Sequence, residues 1–292
     1  MACLVYWAVM ISARSLLIYY LVPLLALAFM IAFTRGAAGA IIDREKRVTW
    51  EDYAKSKGKT TEEIYKKFGA TGLIICGYEG VSANVVVKND VVITSAHMFY
   101  DKKCNKVVDD FSKCVFRTRP MPGQKATFVD IDVDSMIFGS QCVDNAKDDW
   151  VALKLKRPVS DVKPYKIHKK CSLEQNMSVF NIAYFHTDFG DPKNPPPAVQ
   201  TCQVFDKGIT GIKTGGYLTD CNSAEGASGS AITCGDDSEL YITGMVSSGS
   251  GPEWNYRPYD KYINYTAVTD VQGDIVRAII TLVKSGEIAQ SK

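Results

Sequence analysis

Residues 83–99 read ANVVVKNDVVITSAHMF. Two apolar runs rich in valine flank the polar turn Lys88-Asn89-Asp90, and the second run ends at His97. Similar runs recur from Ala70 onward, in GLIICGYE, VFRTRP, KATFVDIDVDSMIF, DWVALKLK, MSVFNIAYF, AVQTCQVF, GSAITC and ELYITGMVSS. Because β-branched residues favour strands and Asn and Asp favour turns, this texture predicts an all-β sandwich or barrel of about a dozen strands.

Two helices are predicted outside the strands. Thr60-Thr61-Glu62-Glu63 is typical of a capping box, which would open a short helix through Lys67, with Gly69 as its stop. Asp274 to Lys284 forms the second, and Gly286 is its predicted end. This helix places four apolar residues on one side, Ile275, Ile279, Leu282 and Val283.

Residues 1–40 differ in charge from the rest. The chain carries 34 basic and 32 acidic residues, a net charge of +2. Residues 1–40 hold only Arg14 and Arg35, so the remainder is balanced at 32 against 32 (34 − 2 = 32). No basic stripe remains for a nucleic-acid backbone, and we therefore expect no nucleic-acid partner.

The apolar run Ser15–Phe33 predicts export. It contains 19 residues without a charge, follows Arg14, and precedes the small residues Ala38-Gly39-Ala40. This order is typical of a secretory signal cleaved after Ala40. The run is also long enough to span a bilayer, so a retained signal anchor, and with it membrane contact, stays open. Either alternative makes the protein secreted or extracytoplasmic.

Cysteine usage agrees with export. Cys3 lies in the proposed signal, and eight cysteines remain, an even number that predicts disulfides. Eight cysteines allow 105 pairings, and the sequence does not choose among them.

Residues 41–70 form a polar N-terminal extension. Within it, Arg44-Glu45-Lys46-Arg47 is interpreted as a solvated segment, with a processing site as the alternative.

His97, Asp149 and Ser228 form a candidate catalytic set. His97 ends an apolar strand, Asp149 opens DWVALKL, and Ser228 lies among the small residues of GASGS. A serine hydroxyl needs a base to accept its proton, histidine titrates near neutral pH, and a carboxylate fixes the imidazole tautomer. Small neighbours allow the N–H groups of Gly226 and Ser228 to converge on an oxyanion.

The motifs TSAH, DWVALKL and GASGS, in this order, resemble those of chymotrypsin-like (trypsin-fold) serine proteases. The spacings of 52 residues from His97 to Asp149 and 79 from Asp149 to Ser228 suit that family. The resemblance covers roughly residues 72–286. It implies two six-stranded antiparallel β-barrels and a C-terminal helix in a protease domain at residues 71–292, after the signal (1–40) and the extension (41–70).

The resemblance also implies a mechanism and a substrate site. The protein would be a serine endopeptidase that acts on peptides or proteins through an acyl-enzyme, with no cofactor or metal. In ITGMVSSGSG, residues 242–251, Ser247 would lie beside the catalytic Asp, and Ser248 and Gly249 would pair with the substrate backbone. Asn222, six residues before the serine, would form the base of the specificity pocket.

Departures from the family pattern bear on activation and specificity. Ala227 stands where many members carry the Asp that pairs with a newly released N-terminal amine, so we expect no switching of that kind. The GxSGS pattern resembles the V8-like glutamyl-endopeptidase branch. However, Val246 replaces the histidine with which that branch holds acidic substrates, and the neutral Asn222 lacks the carboxylate of a trypsin-like pocket.

Three alternatives stay open at this point. Asp148 is adjacent to Asp149 and could be the triad acid instead. A catalytically silent binding protein on the same fold, or an esterase, could replace the endopeptidase.

Among the disulfides, Cys202–Cys221 would stiffen the segment before Ser228, and Cys104–Cys114 could close a small loop after His97. His168 and His186 are interpreted as surface or loop histidines.

Overall fold

Antiparallel strands dominate this structure, a computed structural model that describes residues 40–160, 162–167, 171–191, 194–208, 215–235, 239–249 and 256–290. The predicted signal or anchor and His168 lie outside these residues. Within the described ranges, no helix combines the length and the hydropathy that crossing a bilayer requires.

The first half of the chain forms a closed six-stranded barrel. Its strands are β2 (Thr71–Cys76), β3 (Glu79–Val85), β4 (Val91–Thr94), β5 (Cys114–Arg117), β6 (Phe128–Phe138) and β7 (Val151–Leu155). They pair in the order β2-β3-β4-β7-β6-β5, and β5 closes onto β2. Every residue of β4 is buried, as expected for an uninterrupted apolar run in a barrel wall.

The second half forms another closed barrel. Its strands are β8 (Ser178–Ala183), β9 (Ala198–Lys207), β10 (Tyr217–Thr219), β11 (Ala231–Gly235), β12 (Leu240–Gly249) and β13 (Thr266–Asp270). They pair in the order β9-β10-β13-β12-β11-β8, and β8 closes onto β9. A short strand β1 (Val48–Thr49) adds to the edge of β9. The predicted fold of two six-stranded antiparallel barrels is confirmed.

Three α-helices accompany the barrels in the described chain: α1 (Trp50–Ser56), α2 (Thr61–Phe68) and α3 (Asp274–Gln290). The predicted capping box opens α2, because Thr60 Oγ1 accepts from the Glu63 N–H and a Glu63 carboxylate oxygen accepts from the Thr60 N–H. The C-terminal helix is confirmed, but its predicted stop at Gly286 is wrong. One glycine costs a helix only about 1 kcal/mol, and the helix formers after it carry α3 onward.

The segment before the first barrel is less solvated than its composition suggests. Trp50 is fully buried, packs edge-on against the rings of Tyr65 and Phe68, and donates its indole N–H to the Ala198 carbonyl. Arg47 is only 4% exposed. The interpretation of residues 44–47 as a solvated segment is therefore wrong for Arg47, which two carboxylates neutralise inside the protein.

Four disulfides join the eight described cysteines: Cys76–Cys114, Cys104–Cys142, Cys171–Cys234 and Cys202–Cys221. The suggested Cys202–Cys221 bond is present. The suggested Cys104–Cys114 bond is wrong, because the pairing of β2 with β5 sets Cys114 directly opposite Cys76. Each bond connects cysteines of the same half of the chain, so the contact between the barrels is noncovalent.

Candidate active site

The register of two strands brings His97 and Asp149 to one edge of the first barrel. β4 pairs with β7 so that Thr94 lies opposite Val151. His97 follows Thr94 by three residues, on a single 3-10 turn (Ala96–Met98), and Asp149 precedes Val151 by two. Because the two strands are antiparallel, residues just after the end of β4 lie beside residues just before the start of β7.

The Asp149 carboxylate contacts both the backbone N–H and the imidazole ring of His97. Its Oδ1 accepts from the His97 backbone N–H at 2.9 Å, and its Oδ2 lies 2.8 Å from His97 Nδ1. Its side chain is 2% exposed, whereas that of His97 is 34% exposed. The neighbouring Asp148 is half-buried, and its carboxylate accepts from the Asn145 amide instead. The structure thus pairs His97 with Asp149.

Opposite charge controls the titration of this pair. Burial alone would raise the pKa of the Asp149 carboxyl, but the charge and hydrogen bonds of His97 and the hydrogen bond from Ser247 together hold it below its usual value. Burial alone would lower the pKa of the His97 imidazole, and the Asp149 carboxylate instead raises it. The arrangement favours an ionised Asp149 that orients His97 and stabilises its protonated form.

A β-bulge brings Ser247 to the same carboxylate. The register of β12 with β13 shifts between Val246 and Ser248, which leaves Ser247 as the extra residue. Bulges change the direction of a side chain. Ser247 Oγ donates to Asp149 Oδ2 at 2.5 Å, so that carboxylate accepts three hydrogen bonds.

Residues 222–230 contain Ser228, the nucleophile predicted from sequence, and we call them the nucleophile loop. Side chains of the first barrel hold this loop. Ser82 and Asn84 are alternate residues of β3 and therefore share one face, which meets this loop. Ser82 Oγ donates to the Gly226 carbonyl at 3.0 Å, and Asn84 Nδ2 donates to the Gly229 carbonyl at 2.7 Å. Both carbonyls flank Ser228, which is half-buried.

A second contact ties the loop to β12. The Gly229 N–H donates to the Val246 carbonyl at 2.8 Å, and Ser95 Oγ, two residues before His97, donates to the same oxygen at 3.0 Å. Gly229 has a φ of +74°, and a Cβ there would collide with the Ser82 carbonyl. Only glycine fits this position, where the two barrels touch.

The N–H groups of Gly226 and Ser228 donate no hydrogen bond within the part of the chain that is described. Gly226 has a φ of +88°, and the ring of Phe185 lies where its Cβ would be. Free N–H groups on both sides of Ala227 can bind an oxyanion. The roles assigned to Gly226 and Ser228 stay predictions.

The substrate residues expected from sequence occupy two places. Ser248 and Gly249 lie on β12 opposite Ala267 and Thr266. Asn222 is fully buried, and its side chain is engaged within the chain: Oδ1 accepts from the Ile42 N–H at 2.9 Å and Nδ2 donates to the Arg44 carbonyl at 2.9 Å. The amide of Asn222 thus binds the segment before α1.

Sequence reasoning missed several residues that position the site. Ser82, Asn84 and Ser95 are polar, yet each is 0% exposed. The sequence carried a signal for these three residues, because they are polar residues that interrupt apolar strands. A buried polar group must find a hydrogen-bond partner. His186 lies in the loop after β8, one of the two places expected for it, but it is fully buried. Burial and the charge of Arg47 depress its pKa well below the usual value.

Two closed antiparallel barrels, with a hydrogen-bonded His–Asp pair at their junction, define the chymotrypsin-like serine protease class. The family model described as Trypsin matches residues 77–271, which is more than half of the chain. The chain belongs to the trypsin family, and it is a serine endopeptidase.

A solved structure places the fold more closely. The chain is similar to a Glu endopeptidase solved in complex with MPD, with a TM-score of 0.60 and 11% identity. The match covers 84% of this chain and 100% of that one. At this identity the likeness concerns the fold alone. A search of the curated proteins returns no match.

Proposed function

We propose that this protein is an exported serine endopeptidase in which His97, Asp149 and Ser228 form the catalytic triad. The observation that carries the proposal is the geometry at Asp149, whose carboxylate accepts from the His97 backbone, faces His97 Nδ1 and accepts from Ser247 Oγ. With Nδ1–H directed at Asp149, Nε2 is the nitrogen left to act as a base.

In the proposed reaction, Ser228 Oγ attacks the substrate carbonyl carbon and its proton passes to His97 Nε2. The N–H groups of Gly226 and Ser228 bind the oxyanion of the tetrahedral intermediate. The intermediate collapses when the C–N bond breaks, and His97 gives its proton to the leaving amine. Water then attacks the acyl-enzyme by the same steps, which releases the carboxylic acid and restores Ser228.

Substrate binding would follow β12. In our proposal Ser248 and Gly249 pair with the substrate backbone, and Asn222 forms a neutral base of the specificity pocket. The Asn222 amide is engaged by residues 42–44, so it offers no charge to a basic side chain. We therefore expect a peptide-library digest to show no selection for lysine or arginine before the cleaved bond.

Four disulfides support export, because such bonds persist in oxidising compartments. We propose that residues 1–40 direct the chain out of the cytoplasm, either as a cleaved signal or as a retained anchor. Cell fractionation followed by N-terminal sequencing distinguishes the two, since a cleaved signal leaves Ile41 as the first residue of a released protein.

A fluorophosphonate probe tests the mechanism directly. We expect the native protein to be labelled on Ser228, Ser228→Ala to lose labelling, and Ser160→Ala, at an exposed serine, to keep it. Tryptic mapping locates the adduct. A folded native protein that takes no label would instead support the catalytically silent alternative.

A further inference from the structure

A buried arginine lies beside the nucleophile loop and has no part in the chemistry proposed above. The side chain of Arg47 is 1% exposed and binds two carboxylates. Its Nη1 donates to Asp188 Oδ1 at 2.6 Å, and its Nε and Nη2 donate to Glu45 at 2.8 and 2.7 Å. The guanidinium also lies over the ring of Phe189, 5.1 Å from its centroid. We call these four residues the Arg47 cluster.

The cluster holds a loop that contacts the nucleophile loop. Asp188 and Phe189 belong to residues 185–189, which follow β8. Within this segment the Thr187 N–H donates to the Glu225 carbonyl at 3.0 Å, and the Phe185 ring packs against Gly226. Arg47 therefore binds Asp188, the residue next to Thr187. The Thr187 N–H in turn binds the nucleophile loop.

The bond from Thr187 sets the direction of one peptide unit. In a trans peptide the carbonyl and the following N–H point in opposite directions, and the described residues contain no cis peptide. The Glu225 carbonyl points at residues 185–189, so the Gly226 N–H points away from them. A rotation of this peptide would replace the N–H with a carbonyl oxygen, which repels an oxyanion.

The segment that carries Arg47 also binds the start of the nucleophile loop. The Asn222 amide donates to the Arg44 carbonyl, and its Oδ1 accepts from the Ile42 N–H. Residues 42–47 thus contact the loop directly at Asn222 and indirectly, through Asp188 and Thr187, at Glu225. Two anchors on one loop restrict its conformations more than either alone.

We propose that Arg47 is a positioning residue of the reaction. Through Asp188 and Thr187 it keeps the peptide between Glu225 and Gly226 in the orientation that presents the Gly226 N–H to the oxyanion. This inference rests on the proposed function, since it assigns to Gly226 the oxyanion contact described there. Arg47 itself touches neither the substrate nor the reacting atoms.

The decisive variant is Arg47→Met, which removes the charge and keeps an apolar chain beside Phe189. Its two carboxylate partners have side chains 39% exposed, so water can solvate them after the change. Loss of one oxyanion donor costs about 10²–10³ in kcat, and we expect a loss of about 10² with KM changed less than about threefold. Arg47→Lys should recover part of kcat.

Lys46→Met is the matched control. Lys46 sits next to Arg47 and pairs with Asp220 at 2.6 Å, with both side chains 15% exposed, but it does not bind residues 185–189. We expect its kcat and KM to stay within about threefold of native. Asp188→Asn removes one of the two carboxylates that bind Arg47 and keeps the ion pair with Glu45. It serves as the second variant if Arg47→Met fails to fold. It should lower kcat about tenfold.

Hydrogen exchange separates this inference from the proposed function. In Arg47→Met, peptides covering residues 185–189 and 224–228 should exchange faster, and in Lys46→Met they should not. Native kcat and native exchange in Arg47→Met, or a loss confined to KM, would overturn the inference. An inactive, unlabelled native protein whose exchange still responds to Arg47→Met would overturn the proposed function and leave the positioning contact intact.

Discussion

At the scale of single residues, the carboxylate of Asp149 organises the site. It accepts hydrogen bonds from two barrels, from His97 in the first and Ser247 in the second. The chain has another acid next to it, and the alternation along DWVALKL favours Asp149 while leaving Asp148 as an alternative. Burial separates them, because Asp149 points into the protein while Asp148 bonds to Asn145 in its own turn.

Replacing the acids one at a time tests this assignment. We expect Asp149→Asn to lower kcat about 10⁴-fold, because an amide no longer selects the productive imidazole tautomer. Asp148→Asn should change kcat less than about threefold, since its carboxylate accepts only from Asn145. Steady-state kinetics on one peptide substrate measures both. Equal losses in the two variants would contradict the assignment of Asp149.

The pH dependence of activity follows from the raised pKa of His97. Only the neutral imidazole can take the Ser228 proton, so kcat/KM should fall as the pH drops through the pKa of His97. Because Asp149 raises that pKa, the midpoint should lie above the ordinary value of about 6.5. In Asp149→Asn the residual activity should show a midpoint at lower pH. A native midpoint below the ordinary value would refute this prediction.

At the scale of elements, local sequence patterns identified several structures well. The capping box at Thr60 and the apolar face of α3 depend on residues within one or two turns, and both are present. Other elements were missed. β10 and β13 are short, and α1 lies in a polar segment whose buried face consists of Trp50, Tyr53 and Ala54. Tertiary contacts stabilise such elements more than their own periodicity does.

The face of α3 provides a stability test. Ile279 is 1% exposed and Ile280 is 46% exposed, so adjacent residues of identical chemistry face the core and the solvent. Truncation of a buried isoleucine leaves a cavity, and Ile279→Ala should lower the free energy of unfolding by about 2–5 kcal/mol. Ile280→Ala should change it by less than about 0.5 kcal/mol. Urea denaturation gives both values, and similar losses would contradict the orientation of α3.

At the scale of the whole molecule, two separately closed barrels meet at a polar junction. Each disulfide lies within one half of the chain, and the junction includes hydrogen bonds from Ser82, Asn84, Ser95 and Ser247. The proposed triad residues come from both sides of this junction. In that proposal its hydrogen bonds set the distance between His97 and Ser228.

The disulfide pattern predicts how reduction affects the molecule. Non-reduced peptide mapping should recover Cys202 linked to Cys221, and removing both cysteines by Cys→Ala should cost about 3 kcal/mol, as expected for a closed loop of this size. Thermal unfolding with and without a reductant measures the combined effect of all four bonds. A map that linked cysteines of different barrels would contradict the separate closure of the two halves.

The sequence by itself determined the all-β class, the helices at Thr60 and Asp274, and the His97, Asp149 and Ser228 candidates. Each of these predictions depends on residues that are close together in the sequence or on short motifs. The tertiary structure alone decided the cysteine partners, the burial of Arg47 and the buried hydrogen bonds around the nucleophile loop. Arg47 and Asp188 are 141 positions apart. Such pairs form because burial forces charged and polar groups to find partners, wherever in the chain those partners lie.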